Sequence, residues 1–365
     1  MNTDTHILYI CHVGWNWIKQ RPQYLAEELA CAYPLTFLQG HAYRKRGLKD
    51  NEVGSIVIRE FPRVPTLNER LALLVACNDC IARDVVLKEA GKYPSTIAWL
   101  TGPKAFKWLP PDYRGKVVYD CMDDHDAFYT GAKKEACERL ELRIVKRADL
   151  IFASSSRLVD KMHRMDETSS KPVVLVRNGF DGQALDLSQH SESIKGHRKG
   201  SFKACYFGTI GPWFDFDVIK KSLEHFPNLR YKIIGPAGEG VELLQHERIE
   251  YTGPVAHDSL GEYVADCDCF IMPFRVDDIV LSVDPVKMYE YINFGKDIVC
   301  VRYPEVERFG DYAELYNGAD EYCAAIEAIM VRPRRKYSDG QRMKMLEESS
   351  WHSRVQPILK ALGEL

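Results

Sequence analysis

Residues Val283–Val299 read VDPVKMYEYINFGKDIV, and their spacing is that of one supersecondary unit. Asp284 is a good N-cap type, and Pro285 suits the first helical position, where a missing N–H costs nothing. Val286, Met288, Tyr289 and Ile292 give the helix an apolar side, Gly295 stops it, and DIVCVR follows as a strand. Lys287 and Glu290 stand three apart, hence on one face. Lys287 falls in the first turn, where free N–H groups and the helix dipole already favour an anion such as a phosphate. Glu290, one turn deeper, can accept two hydrogen bonds, as the hydroxyls of a ribose would offer. The plain alternative is a helix ion pair worth about a few tenths of a kcal/mol. The half-buried setting favours a ligand, because buried charges want a partner.

Working outward, short β-rich runs alternate with amphipathic segments along the whole chain. HILYIC, LTFL, SIVIRE, TIAWL, KVVYD, DLIFAS and PVVLV are strands of a first half. KACYFG, YKIIG, IEYTG, CFIMPF and DIVCVR are strands of a second. The alternation predicts βα units, and so parallel sheets with helices on both faces. From Asp181 to Ser201 the chain turns polar, which marks a linker. When two such halves face each other, ligands bind at the carboxyl ends of the strands.

The strand ends carry the chemistry. After the first comes CHVGWNWIKQRPQYLAEEL, where Gly14 permits a turn and a helix begins near Arg21 or Pro22. Arg21 there either holds a phosphate or carboxylate or is a surface residue beside a cap. After the fifth comes VVYDCMDDHDAFY, with acids and a histidine crowded from Asp120 to Asp126. Crowded carboxylates raise one another's pKa, which suits a general base or a hydroxyl-orienting group. Asp124-His125-Asp126 also has a D-x-D spacing that holds a divalent metal in some sugar-nucleotide enzymes. In YFGTIGPWFDFD, Gly208 and Gly211 bracket a turn whose backbone N–H groups can cradle a diphosphate, or which is an ordinary βα turn. Gly235 and Gly253 end the next two strands. The spacing is not G-x-G-x-x-G, so the dinucleotide fingerprint is absent.

Bulk properties narrow the class. The chain has 365 residues, 45% hydrophobic and 28% charged, with a net charge of −3. That length suits two domains, and the balance gives no whole-chain attraction to nucleic acid. The N-terminus has no signal-peptide pattern, and no apolar run approaches the roughly 20 residues of a membrane span. The 11 cysteines are scattered, as in a cytosolic protein with reduced thiols. Cys77 and Cys80 form the single C-x-x-C without a second pair or nearby histidines, so core packing on a helix is expected rather than zinc.

In chain order, QRPQYLAEELA, VVYDCMDD, ADLIFASSSRLVDKM, VRNGFD, YFGTIGPWFD, EYTGPVAHDSLGEYVADCDCFIMPF and DPVKMYEYINFGKDIV resemble the GT-B glycosyltransferases. Within them the likeness is to family 4-like enzymes of bacterial polysaccharide and teichuronic-acid assembly. The resemblance implies an α/β, GT-B architecture of two Rossmann-like, doubly wound domains facing across a cleft. An acceptor domain would span 1–182, a polar linker 183–200 and a nucleotide-sugar domain 201–347, with a helix over 348–365 crossing back to the first domain. The implied donor set is Gly208, Thr209, Gly211, Trp213, Gly235, Arg275, Ser282, Val286, Lys287 and Glu290. Gly14, Trp15 and Arg21 would meet the acceptor. Asp123, Asp124 or His125 would face its hydroxyl, as base in an inverting enzyme or as orienting group in a retaining one. Lys287 would stabilise the leaving diphosphate.

One position departs from the family pattern: Ser282 stands where an acid usually precedes Glu290 by eight positions, with Asp277, Asp278 or Asp284 as substitutes nearby. The co-substrate expected is a UDP- or GDP-sugar, with no metal and no further cofactor. The acceptor expected is a saccharide or a lipid-linked chain, without nucleic acid. Peripheral membrane contact rests on HAYRKRGLKDN and on the apolar face of LNERLALLVACNDCIARDVVLKEA, which a core helix explains as well. A nucleotide-sugar epimerase and a non-catalytic binding relative are the rival readings.

Overall fold

In a computed structural model the chain is described over 4–17, 19–42, 49–66, 71–168, 170–182, 184–185, 200–332 and 335–365. It divides into two compact units, Met1–Gly179 with Trp351–Leu365, and Phe180–Ser350. Most of the polar segment expected as a linker lies outside the described residues, as do 43–48 of the basic cluster and 67–70.

The first unit is built on eight strands: β1 (Thr5–Ile10), β2 (Leu35–Ala42), β3 (Lys49–Val53), β4 (Ile56–Arg63), β5 (Ser95–Leu100), β6 (Lys116–Cys121), β7 (Leu150–Ala153) and β8 (Val173–Leu175). Their order is β3-β4-β2-β1-β5-β6-β7-β8, and every pairing is parallel except β3 with β4. Helices cover both faces. On one, α1 (Arg21–Ala30) and the final helix contribute Leu25, Leu29, Val355 and Ile358 to a core beneath Tyr9, Phe37 and Trp99. On the other lie α2 (Ala72–Ala90), α3 (Pro103–Phe106), α4 (Gly131–Arg147) and α5 (Ser156–Met165), packing Val86, Ala105, Ile144 and Leu158 against Leu8, Ala98 and Tyr119. Cys77 and Cys80 do sit on a helix, α2, but on its exposed side rather than in the core.

The second unit has six parallel strands: β9 (Phe202–Phe207), β10 (Leu229–Ile234), β11 (Ile249–Gly253), β12 (Cys269–Met272), β13 (Asp297–Val301) and β14 (Glu314–Tyr316), in the order β11-β10-β9-β12-β13-β14. Its helices are α6 (Phe216–His225), α7 (Leu260–Val264), α8 (Asp278–Ser282), α9 (Val286–Asn293), α10 (Ala319–Val331) and α11 (Asp339–Glu348). The last helix of the chain, α12 (Trp351–Gly363), belongs to the first unit, where Trp351 stacks on Tyr24 of α1 at 5.2 Å.

In each sheet the winding reverses once, between β1 and β5 and between β9 and β12. At such a switch point the loops leave in opposite directions and open a crevice at the carboxyl ends of the strands. Those four strand ends are therefore where a ligand site is to be sought.

The helix quoted first begins one residue later than its sequence indicates. Pro285 is the N-cap of α9, and Asp284 makes no cap. It is instead 1% exposed and ion-paired with Arg308. A buried carboxylate gains more from a guanidinium than from a backbone N–H, and here the guanidinium wins.

Candidate active site

At the β9 end, the chain turns through Gly208, Thr209, Ile210 and Gly211 before α6. Gly208 N donates to Ile234 O at 2.8 Å, and Ile210 N to Pro236 O at 2.9 Å, so this loop lies alongside the one after β10. Gly208 and Gly235 both have φ near +133°, a conformation that strains any side chain. A Cβ on Gly235 would stand 2.1 Å from Gly208 O, and one on Gly208 would stand 2.1 Å from Lys287 Cε. Lys287, from the first turn of α9, thus lies directly across the glycine turn at the neighbouring switch-point strand. The sequence places these two features 79 residues apart, 208 to 287; the fold brings them into contact.

Lys287 makes no ion pair or hydrogen bond with any described residue, and its ammonium sits 5.9 Å from the centre of the Tyr206 ring. Burial pulls its pKa below the ordinary lysine range, with Glu290 acting in the opposite sense. Glu290 is a quarter exposed and accepts from, or pairs with, His257 Nε2 at 3.1 Å. That contact raises the His257 pKa. Thr209 is exposed on the turn, its carbonyl accepting from Tyr206 Oη at 2.8 Å, while Trp213 is half-buried against Gly211. Val286 projects into solvent beside Lys287.

Other expected donor residues are engaged within the fold. Arg275 donates to Asp217 Oδ2 at 3.0 Å and lies 3.6 Å from Asp215 Oδ1. Asp215 also caps α6 by accepting from Asp217 N, so that helix start is already satisfied by its own acids. Ser282 is buried and donates to Asp278 O at 2.9 Å. Asp277 caps α8 by accepting from Val280 N, and Asp284 holds Arg308. Lys287, by contrast, stands across the Gly208–Gly211 turn with no ion pair or hydrogen bond to a described residue.

At the switch point of the first unit, the loop after β1 carries Gly14 and Trp15. Trp15 N donates to Gln39 Oε1, Gln23 Nε2 donates to Gly14 O at 3.2 Å, and the Trp15 ring meets Phe37 edge-on. Arg21 starts α1 as expected, but its side chain is 5% exposed. It donates to Asp120 Oδ1 at 2.7 Å, with Asp120 fully buried, and to Val176 O at 2.7 Å. This is a strut tying α1 to β6, and its guanidinium faces protein rather than an open site.

The acid cluster after β6 splits in two. Asp124 and Asp126 turn to Lys161 of α5, which also reaches Glu141 Oε2 at 2.7 Å. Lys161 occupies the place a D-x-D cation would need. Asp123 and His125 turn the other way. Burial raises the Asp123 pKa, against the pull of His125 and Arg21. His125 lies against Gly102 at the β5 end, and its buried Nε2 has no hydrogen-bond partner among the described residues. The ring of His12, two residues past β1, lies 6.2 Å from that of His125. Desolvation, then the neighbouring His125 and Lys104, lowers the His12 pKa to about 4.

His12 and His257 were missed by the sequence reading. Both follow strands directly or within a few residues, in CHVGW and GPVAHD, so the strand-end rule that singled out Gly14 and Gly253 would have reached them. Among the described residues no group of three or more metal-binding side chains converges, and no helix is long and apolar enough to cross a membrane.

No protein-family profile matches the chain. It is 26% identical over 284 residues to TuaH of Bacillus subtilis (strain 168), a candidate teichuronic acid biosynthesis glycosyltransferase; the match covers 73% of this chain and 71% of that protein. Among solved structures, a sucrose-phosphate synthase from Thermosynechococcus elongatus superposes with a TM-score of 0.71 at 11% identity, covering 99% of this chain and 98% of that one. An E. coli trehalose-6-phosphate structure bound with UDP-2-fluoro glucose gives 0.69 at 11% identity and 99% of both chains. Anabaena HepE in complex with UDP and glucose gives 0.64 at 16% identity and the whole of both chains. Likeness at this identity shows the fold: the chain has the two parallel-sheet α/β units of the GT-B architecture.

Proposed function

We propose that this chain is a glycosyltransferase, moving a hexosyl group from a UDP- or GDP-sugar to a hydroxyl of a saccharide or lipid-linked acceptor in surface-glycan assembly, in the cytoplasm. One observation carries the reading: a half-buried lysine, without an ion pair or hydrogen bond to any described residue, laid across a glycine turn at a sheet's switch point. A buried cation without a partner destabilises the fold unless an anion completes it. The likeness to TuaH and to enzymes holding UDP or a UDP-sugar supports a nucleoside diphosphate as that anion.

In this reading the second unit holds the donor. Lys287 and the N–H groups of Thr209 and Gly211 meet the diphosphate, those of Gly208 and Ile210 being spent on Ile234 O and Pro236 O, and Glu290 accepts from the ribose hydroxyls in exchange for His257. The acceptor oxygen bonds to the anomeric carbon as that carbon's bond to the diphosphate oxygen breaks. The electron pair leaves with the nucleoside diphosphate, and Lys287 stabilises the charge that develops there. In the first unit Asp123, with its raised pKa, His125 or His12 takes the proton from the acceptor hydroxyl or orients it. Asp124 serves the Lys161 knot instead. Gly14 and Trp15 would shape the acceptor side. No step uses a metal.

The test is release of nucleoside diphosphate from a panel of UDP- and GDP-sugars. The wild type is expected to release one of them, and Lys287→Met to reduce that turnover by about 100-fold or more. Ser282 motivates a second reading, since its buried hydroxyl leaves the family's first acid without a counterpart. A non-catalytic relative would bind nucleotide and release none from any donor.

A further inference from the structure

Alongside the His12–His125 cluster, the first unit carries a groove of about 950 Å³ between α3 and α4. Its cations are Lys104, Lys107, Lys133, Arg139 and Arg143, and none of its described lining residues is acidic. A second hollow shares Lys107 and Arg143 and adds Arg83, Lys146 and Arg147, again with no acid among its described lining residues, though Arg147 itself pairs with Asp149 at 3.3 Å. In a chain of net charge −3 this segregation is local, with α4 supplying most of the cations and α2 and α3 with its C-cap the others. Glu135, one turn before Arg139, pairs with it at 3.4 Å, but both are two-thirds exposed, where such a pair contributes little.

Two further features say what the groove would hold. Tyr129 lines it with its ring half in solvent, while Phe106 lines the second hollow, its ring 5.6 Å from the Arg143 guanidinium. Flat aromatic faces stack on sugar rings, while the concave shape suits a chain better than a planar membrane surface. Two of its lining residues lead toward the candidate acceptor cluster: Pro103 and Lys104 directly follow Gly102, against which His125 rests, and the Lys104 charge bears on His12.

We propose that this groove binds an anionic glycan, a sugar chain bearing carboxylates or phosphates, with its end at the His12–Asp123–His125 cluster. This rests on the transferase reading and gives its acceptor a chemical class. Cation spacing along α4 fixes the chain lengthwise, and the strength of binding falls with salt as exposed charges are screened.

The experiment measures binding to the whole chain by calorimetry at about 0.05 M salt, where charge contacts are least screened. The probes are oligogalacturonate, a glycerol-phosphate polymer, neutral maltooligosaccharide, phosphatidylglycerol vesicles and single-stranded DNA. Either anionic chain should bind and the neutral one should not, and which anionic chain binds separates carboxylate from phosphate. The triple variant Lys133→Glu, Arg139→Glu, Arg143→Glu should weaken that binding about ten-fold or more, since like charges across an interface are strongly unfavourable. Lys221→Glu with Lys344→Glu, exposed in the other unit, should leave it unchanged. Equal binding by wild type and triple variant overturns the inference, as does binding of vesicles or DNA but of neither glycan. Nucleotide-induced stabilisation is read on the same samples. If it persists in wild type and triple variant while no glycan binds, the groove inference alone has failed; if it is absent from wild type, the transferase reading has failed.

Discussion

At the scale of single residues, Lys287 joins stability to binding. Its folded pKa is lowered by burial, so the folded state holds the proton less well than the unfolded chain. The sign follows: the destabilisation is fully present below the folded pKa and vanishes as pH rises past the ordinary lysine value. Lys287→Met is therefore expected to stabilise the ligand-free protein at neutral pH by on the order of 1 kcal/mol while removing its response to nucleotide. Urea unfolding of both proteins measures this, and a destabilised variant would mean the ammonium has a structural partner. Gly208→Ala meets both a positive φ and the Lys287 side chain 2.1 Å away. It should lose roughly 1–3 kcal/mol of stability and displace the lysine, raising the KM for donor. Unchanged stability and KM would show that the turn yields freely. Lys287 and Glu290 were legible in the sequence because spacing alone puts them on one face. Their use was not, because contact with Gly208 depends on strand order. For the same reason Arg21, Arg275 and Asp124 read as open charges, when their partners Asp120, Asp217 and Lys161 lie far off along the chain.

Secondary-structure elements were the most legible level. Twelve apolar runs in the sequence coincide with strands, since parallel strands buried on both faces are near-continuous in Val, Ile, Leu and aromatics. The two missed strands lack that signature: β3 is KDNEV, a charged edge strand pairing antiparallel, and β14 is only the three residues ELY. Two polar ties between elements make predictions. Arg21→Met would leave Asp120 buried without its guanidinium and should destabilise the first unit by about 3–5 kcal/mol. A fully folded variant with an altered acceptor KM would instead return Arg21 to the ligand site. In β1, His6 is fully buried, bonded to Thr36 at 2.9 Å and stacked on Tyr93. Burial, then Lys92, lowers its pKa from 6.5 to about 4. Its neutral form is the folded one, so its contribution is complete above pH 6.5 and lost as pH falls through 4. Denaturant titrations should show wild type losing up to about 3 kcal/mol relative to His6→Phe across that window. A difference that stays constant with pH would contradict the burial of an uncharged imidazole.

At the scale of the whole molecule, two doubly wound sheets each reverse their winding once, and each reversal gathers the chain's unusual groups. In the second unit it gathers the glycine turn and Lys287, and in the first His12, Gly102, Asp123 and His125. Fold class was legible because alternation of strand and helix patterns survives without any knowledge of partners. The basic groove was not, since its cations come from separate segments that a linear reading sees as ordinary charged helices and turns.

The central claim is that the Gly208–Lys287–Glu290 constellation holds a nucleoside diphosphate. Its most direct test is the thermal midpoint of the full chain with UDP, GDP, dTDP, CMP and NAD, in wild type, Lys287→Met and Glu290→Ala. One nucleoside diphosphate at about 100 times its Kd should add roughly 2.7 kcal/mol to wild type, and much less to either variant. No shift with any nucleoside diphosphate, a shift with NAD alone, or one that both variants keep in full would contradict the account.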